Sequence, residues 1–496
     1  MRVAVVGSGF AGSLLARILA VQKHDVVLLE RGSHPRFAIG ESSTPLANLT
    51  LERLARRYGL DDCYDLAAHG RWVARFPGLR RGLKRGFTFY RHHPGRPFAS
   101  NGHGPAASER LLVAASPTDH VADNHWLRAD VDHHFVRAAV AAGVDYRDRV
   151  DVTDAMLDSL RADFVVDASG PGGFMARRLG IPSALHRMHT HSGLLFSHFD
   201  GARLMTDVVP GLPPGPYPDD WAAVHHIIDE GWMYSLRFDH GVTSAGFVLK
   251  QQPSGSPEQM WRHLLQRYPT IEALFGDAKP LMPLAYKARI QHRLARATGG
   301  NWALLPHAYG FVDPLFSTGI AWSLRAIERL ALSFERGGPS AHDLSRYEAL
   351  LSAEADQIDA LVAGAYLAMT RFELFAAHSM IYFAAVSFTE IRQRVAQLDA
   401  DSSAWTGFLG VGDPRLGGLP RASLRRLRHT RSPAERREFV QWVSKSIAPR
   451  NVCGFANRAA HNLYGVDIDA LVQRHHVLGL SRDALVSALP TLRGFA

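Results

Sequence analysis

Val3-Ala4-Val5-Val6-Gly7-Ser8-Gly9-Phe10-Ala11-Gly12 stands almost at the head of the chain. The four apolar residues read as a buried strand. Gly12–Val21 then carries Leu14, Leu15, Ile18 and Leu19 at helical spacing, so a GxGxxG sits between a strand and a helix. In that setting Gly7 permits the tight turn, Gly9 lets a pyrophosphate approach the backbone, and Gly12 allows the helix to pack closely on the strand. The free N–H groups and the dipole of the helix start favour the phosphates. Asp25–Leu29 is the next strand, and Glu30 closes it roughly 20 residues beyond the motif, where an acid is expected to take a ribose hydroxyl. Strand, helix and acid together predict a Rossmann-type dinucleotide site.

Working outward, Pro45–Tyr58 reads as a helix and Asp163–Val166 as a short buried strand ending in Asp167-Ala168-Ser169-Gly170. Phe87 to Pro117 turns to Gly, Pro, His and Ser, a composition that predicts long surface loops. Ile227–Asp229, Trp232–Phe238 and Thr243–Leu249 are strand-like and separated by turn signals, which predicts an inserted antiparallel sheet. Trp302–Leu305 returns to the buried-strand pattern and Ile320–Phe334 reads as a helix. Nearly everything beyond Ala341 is helical, with breaks at 407–420 and at Ser432-Pro433. The apolar stretch Leu361 to Ile391 is interrupted by Arg371, Glu373, His378 and Glu390, as expected of a buried helix pair rather than a membrane span.

With 496 residues, 46% hydrophobic and 21% charged, the chain has an ordinary globular composition and length enough for several subdomains. The formal charge of +9 accompanies no nucleic-acid-binding motif, so it reads first as a solvated Arg-rich surface and second as a surface for an acidic carrier protein. Cys63 and Cys453 are the only cysteines, which fits a reducing cytoplasm and argues against a disulfide framework. The neighbouring pairs His133-His134, His225-His226 and His475-His476 point in different directions and lack ligand spacing, so no metal is expected.

A second signal lies far downstream. His307 to Ile320 contains Asp313 before a Gly-rich turn that opens a helix, suited to placing a carboxylate on a ribityl chain and N–H groups near a flavin ring. It makes FAD the expected dinucleotide. Phe311-Val312-Asp313-Pro314-Leu315-Phe316-Ser317-Thr318-Gly319 resembles the FxDPLxSxG signature of the flavin-dependent halogenases. Gly40-Glu41-Ser42-Ser43-Thr44-Pro45 resembles their GExxxP stretch, and Leu127 to Asp132, with Arg128, resembles their Arg-containing helix start. Asp167 to Gly170 resembles their second FAD turn. The matches run in order from residue 1 to about 335, beyond the length of one ordinary domain.

The resemblance implies an enzyme in which reduced FAD and O₂ oxidise chloride or bromide to hypohalous acid, which travels to a lysine beside an aromatic substrate. Lys84, in Gly82-Leu83-Lys84-Arg85-Gly86-Phe87, resembles that lysine. The cofactor contacts implied are Gly7, Gly9, Ala11, Gly12, Glu30, Arg31, Glu41 and Ser42, with Arg128, Asp167, Asp313, Pro314, Gly319 and Ile320 from later segments. Thr318 and Gly319 would hold halide. Phe316 stands where tryptophan halogenases carry Glu, which implies the phenol-halogenating branch. The WxWxIP motif appears as Trp232-Met233-Tyr234-Ser235-Leu236-Arg237, with Trp232 and Tyr234 on the substrate side. That change leaves an FAD-dependent aromatic monooxygenase as an alternative, and a non-catalytic flavin-binding member of a biosynthetic complex as a third reading. A single GxGxxG implies a separate flavin reductase as partner. The fold class expected is α/β. Residues 1–80, 121–180 and 296–340 form a discontinuous FAD-binding Rossmann-type domain, and 81–120 supply a substrate-side strand and loops. Residues 181–295 form an antiparallel-sheet substrate domain, and 341–496 a helical C-terminal region.

Overall fold

In the computed structural model, which describes residues 1–99, 109–395 and 403–493, the Arg2–Val6 strand lies inside a six-stranded sheet. Its parallel neighbours are Asp25–Leu29 on one side and Phe164–Asp167 on the other, with Val3 opposite both Val26 and Phe164. Asp145–Arg147 extends one edge, and Trp302–Leu304 followed by Thr298–Gly299 extends the other. Val3, Ala4 and Val5 are fully buried, as a strand covered on both faces requires. The sheet therefore draws on three separated stretches of chain. The helix Phe10–Val21 packs on it with Leu14, Leu15, Ile18 and Leu19 fully buried. Gly7 has φ +102°, and a Cβ on Gly12 would come within 2.0 Å of the Gly7 carbonyl, so both positions require glycine for the turn to exist.

Among the described residues the second sheet has nine strands. Antiparallel pairing joins Gly193–Asp200, Thr243–Leu249, Gly231–Arg237 and Ala223–Ile227 in that spatial order. The first predicted strand, Ile227–Asp229, is corrected by this register. The strand runs earlier, over Ala223–Ile227, and the chain turns at 228–230. A larger correction concerns Phe87 to Pro117. Gly86–Arg91 and Arg110–Ala114 are strands of this same sheet, paired with each other and, through Gly86–Arg91, with Ala223–Ile227. Every residue of Gly86–Arg91 is buried. The Gly- and Pro-rich composition belongs to the connection between the two strands, part of which lies outside the described residues. Arg81–Lys84 and Asp123–Trp126 form a separate antiparallel pair beside the large sheet.

The C-terminal part is helical. Ala341–Ala368 and Phe372–Val395 pack together, and Ser432 closes a capping box on Pro433–Ile447. Phe372–Val395 is long and apolar enough to cross a membrane, but 72% of its most apolar window is buried inside the protein. Its polar residues are used internally. His378 bonds to Ser423 and the Leu361 carbonyl, and Glu390 accepts from Arg394.

Candidate active site

Between the two sheets lies a cavity of about 650 Å³. Its walls gather the sequence motifs from both ends of the chain: Gly7, Gly9, Ala11 and Gly12 of the glycine turn, Glu30 and Arg31 after the second strand, and Glu41 with Ser42. Arg128, Asp313, Pro314, Gly319 and Ile320 complete that wall, and Trp232 and Tyr234 face it from the large sheet. A Cβ on Gly9 would touch only Arg128 and Asp132, at 3.7 and 3.8 Å, which is ordinary contact. The protein itself does not demand glycine there. The space in front of Gly9 suits a group that is not protein.

The charges around this space fit a dinucleotide. Arg31, Arg36, Arg128 and Arg177 border it, supplying cations for a pyrophosphate. Arg128 is fixed by two bonds to Asp132, at 2.7 and 2.9 Å, and by donation to the Ile39 and Gly40 carbonyls. Glu30 accepts from the Ser8 N–H and hydroxyl and from the Gly32 N–H at 2.9–3.0 Å. Burial opposes its charge, but the Gly32 and Ser8 N–H groups and Arg36 hold its pKa down to about 2. The oxygen Oγ of Ser42 is buried without a partner. Asp313 behaves differently. Burial pushes its pKa up to about 7, although Tyr366, Ser192 and the Leu315 N–H all donate to it. Trp232 is held by its Nε1 donating to the same Tyr366 hydroxyl at 3.1 Å.

Four expected site residues do not lie on this wall. Asp167 sits behind it, its oxygens accepting from Ser169 and from the Met175 N–H, so it shapes the turn while Ala168 to Gly172 face the cavity. Thr318 is buried beside Gly319, and only Gly319 reaches the cavity. The helix they open, Thr318–Glu335, begins after Ser317, whose φ is +51°. Phe316 points away and stacks on Tyr382 at 4.7 Å, its carbonyl accepting from the Tyr382 hydroxyl.

Lys84 is the fourth, and it is packed among side chains away from the cavity lining. Its side chain is fully buried, Nζ donates to the Ser43 carbonyl at 2.5 Å, and the ammonium stands 4.2 Å from the centre of the Phe87 ring. Burial drives its pKa downward to about 7, against the pull of Asp123. Phe87 lies 6.0 Å from Tyr382 and 5.5 Å from Phe383, so the lysine faces an aromatic cluster to which Phe316 also belongs. His225 links the cavity to this aromatic cluster. It lines the cavity, packs 4.5 Å from Phe89 and 5.8 Å from Phe87, and is kept neutral, near pKa 3, first by burial and then by the Lys84 charge. Sequence reasoning gave His225, one of an adjacent histidine pair, and His307, at the head of the flavin turn, no role of their own, and it missed Tyr366 and Tyr382, lone aromatics within apolar helices.

Residues 130–379 match the protein family described as tryptophan halogenase, and residues 5–57 match the NAD(P)-binding Rossmann-like domain. Among curated proteins the chain is 28% identical over 405 residues to tetracycline 7-halogenase of Kitasatospora aureofaciens, covering 75% of this chain and 71% of that one. It is also 28% identical over 406 residues to monodechloroaminopyrrolnitrin halogenase PrnC of Pseudomonas fluorescens, covering 77% and 70%. The fold is similar to that of the halogenase PltM, solved with FAD, at TM-score 0.81 and 24% identity over 93% of this chain and 99% of that one. With half of its length matched by the family and a cavity whose glycines, arginines and acid fit FAD, the chain belongs to the tryptophan halogenase family and is a flavin-dependent halogenase.

Proposed function

We propose that this enzyme halogenates a phenolic small molecule, with Lys84 presenting the halogen. The observation that carries the reading is the setting of Lys84, a fully buried cation against the Phe87 ring at the edge of an aromatic cluster. A solvated surface lysine has no such surroundings. Bound reduced FAD, with O₂ and halide, supplies hypohalous acid. Gly9, Glu30 and Arg128 bind the dinucleotide end of the cofactor, and Gly319 offers its N–H at the helix start to the halide. Trp232 and Tyr234 keep that side of the cavity aromatic, which holds substrate away from the flavin. Lys84 donates a hydrogen bond to the oxygen of hypohalous acid, which polarises the oxygen–halogen bond toward attack by the ring.

Phe316 supports a phenol over free tryptophan, because it brings no carboxylate to a substrate amine. PltM, the structural relative, was solved with phloroglucinol, a triphenol. A separate reductase supplies the reduced flavin, a reading supported by the single GxGxxG of the sequence. Lys84→Met keeps a similar volume and removes the amine. With resorcinol, bromide and a flavin reductase, the variant is expected to bind FAD and oxidise reduced flavin as the wild type does, while product halogenation falls about 100-fold or more. Normal halogenation by Lys84→Met would remove the lysine from the mechanism.

A further inference from the structure

Lys84 and Asp123 are directly opposite each other in the antiparallel pair formed by Arg81–Lys84 and Asp123–Trp126. Opposed residues on such a pair project to the same side with their Cβ atoms about 5 Å apart. Asp123 is 2% exposed, and Asn48 holds it, the Asn48 Nδ2 donating to Oδ1 at 2.8 Å. The other oxygen, Oδ2, is buried with no hydrogen-bond partner among the described residues. Asn48 is fixed in turn by the Ser43 hydroxyl, and Ser43 also carries the carbonyl that receives Lys84 Nζ. One short segment therefore holds both the cation and the carboxylate and leaves each with spare capacity. Lys84 stands 4.2 Å from the Phe87 ring and Phe87 lies 6.0 Å from Tyr382, so the opposed pair adjoins the aromatic cluster that includes Phe316.

We propose that Asp123 is a further catalytic residue, the base that removes the ring proton from the carbon being halogenated. The inference rests on the Lys84 reading above. The halogen enters and the proton leaves at one carbon, so the base has to stand beside the halogen donor, which is where the strand register puts Asp123. The ring carbon forms its bond to the halogen, and the oxygen–halogen bond breaks with its electron pair on oxygen. That oxygen takes a proton from Lys84 and leaves as water. The carboxylate of Asp123 then accepts the ring proton, restoring aromaticity, and the water just formed relays a proton from it to the neutral Lys84 amine. Hypohalous acid and arene become aryl halide and water, and both side chains return to their starting states. Burial disfavours the charge on both groups, lowering the lysine and raising the carboxyl, which eases the return of the proton to the lysine.

The test compares Asp123→Asn, Asp123→Glu and Lys84→Met with ring-deuterated and ordinary resorcinol in single-turnover reactions with bromide. Asp123→Asn is expected to oxidise bound reduced FAD normally and to make product about 100-fold more slowly, with a primary deuterium isotope effect that the wild type lacks. Asp123→Glu, which keeps the carboxylate, restores most of the rate and removes the isotope effect. Product formation by Asp123→Asn at the wild-type rate would overturn the assignment. So would a loss of product without an isotope effect, since a residue that only shaped the pocket would slow both isotopologues alike. Lys84→Met reports on the lysine separately, because its outcome is read from product yield and not from the isotope effect.

Discussion

Gly9 separates what the fold needs from what the cofactor needs. Gly7 and Gly12 are glycine because the turn has a positive φ at one and leaves no room for a Cβ at the other. At Gly9 a Cβ meets only the ends of the Arg128 and Asp132 side chains, and the remaining space is the cavity itself. Gly9→Val is therefore expected to fold with an unchanged apo-protein melting temperature while its affinity for FAD drops by roughly 10-fold or more, as flavin titration would read. Unaltered FAD affinity would mean that the pyrophosphate does not pass over Gly9. Gly9 was legible in the sequence because its spacing is local. Asp123 was not, because a lone aspartate gains meaning only from the strand opposite it.

At the scale of elements, the helix Thr318–Glu335 carries the cavity-facing Gly319 at its start and is anchored farther along by a buried ion pair. Arg329 and Glu354 are both fully buried and meet through two hydrogen bonds. Glu354 also accepts from Trp322 Nε1 at 3.0 Å and from the Phe408 N–H at 2.8 Å, so it ties Thr318–Glu335 to Ala341–Ala368 and to the segment around Phe408. Removing one partner leaves an uncompensated buried charge. Glu354→Ala is expected to cost about 3–5 kcal/mol, seen as a lower urea midpoint. A change below about 1 kcal/mol would show that water reaches Arg329 and relieves it. The helices themselves were visible from periodicity. Their pairing was not, since nothing local links Arg329 to Glu354.

Across the whole molecule, buried histidines set the response to acid. His125, His225, His226 and His307 are pushed down to about 3 and His378 to about 4, each chiefly by burial. In the unfolded chain histidine titrates near 6.5, so between that value and the folded ones the unfolded state binds more protons and stability falls as pH falls. Asp313 and Asp123, raised by burial, act oppositely over part of that range, because the folded state holds their protons more tightly. Asp167, Asp220 and Glu390 are raised as well, but His24, His34, His69, His92 and His292 are also lowered, so among the described residues ten histidines stand against five carboxyls and leave a net loss. The melting temperature is expected to drop steadily from pH 7 to pH 5, and a flat profile would show that these imidazoles are charged or solvated in the fold. The sequence by itself determined the nucleotide-binding βαβ unit, the acid after its second strand, the downstream flavin turn and the helical end. Each is written in spacing over a few residues, where periodicity and turn chemistry act directly. Only the tertiary structure decided that Gly86–Arg91 and Arg110–Ala114 are strands of the large sheet, that Asp167 lies behind the cavity wall, and that Lys84 faces Asp123 and an aromatic cluster drawn from distant segments. Those outcomes depend on strand register and on packing between segments far apart in the chain, and such energies leave no local pattern to read.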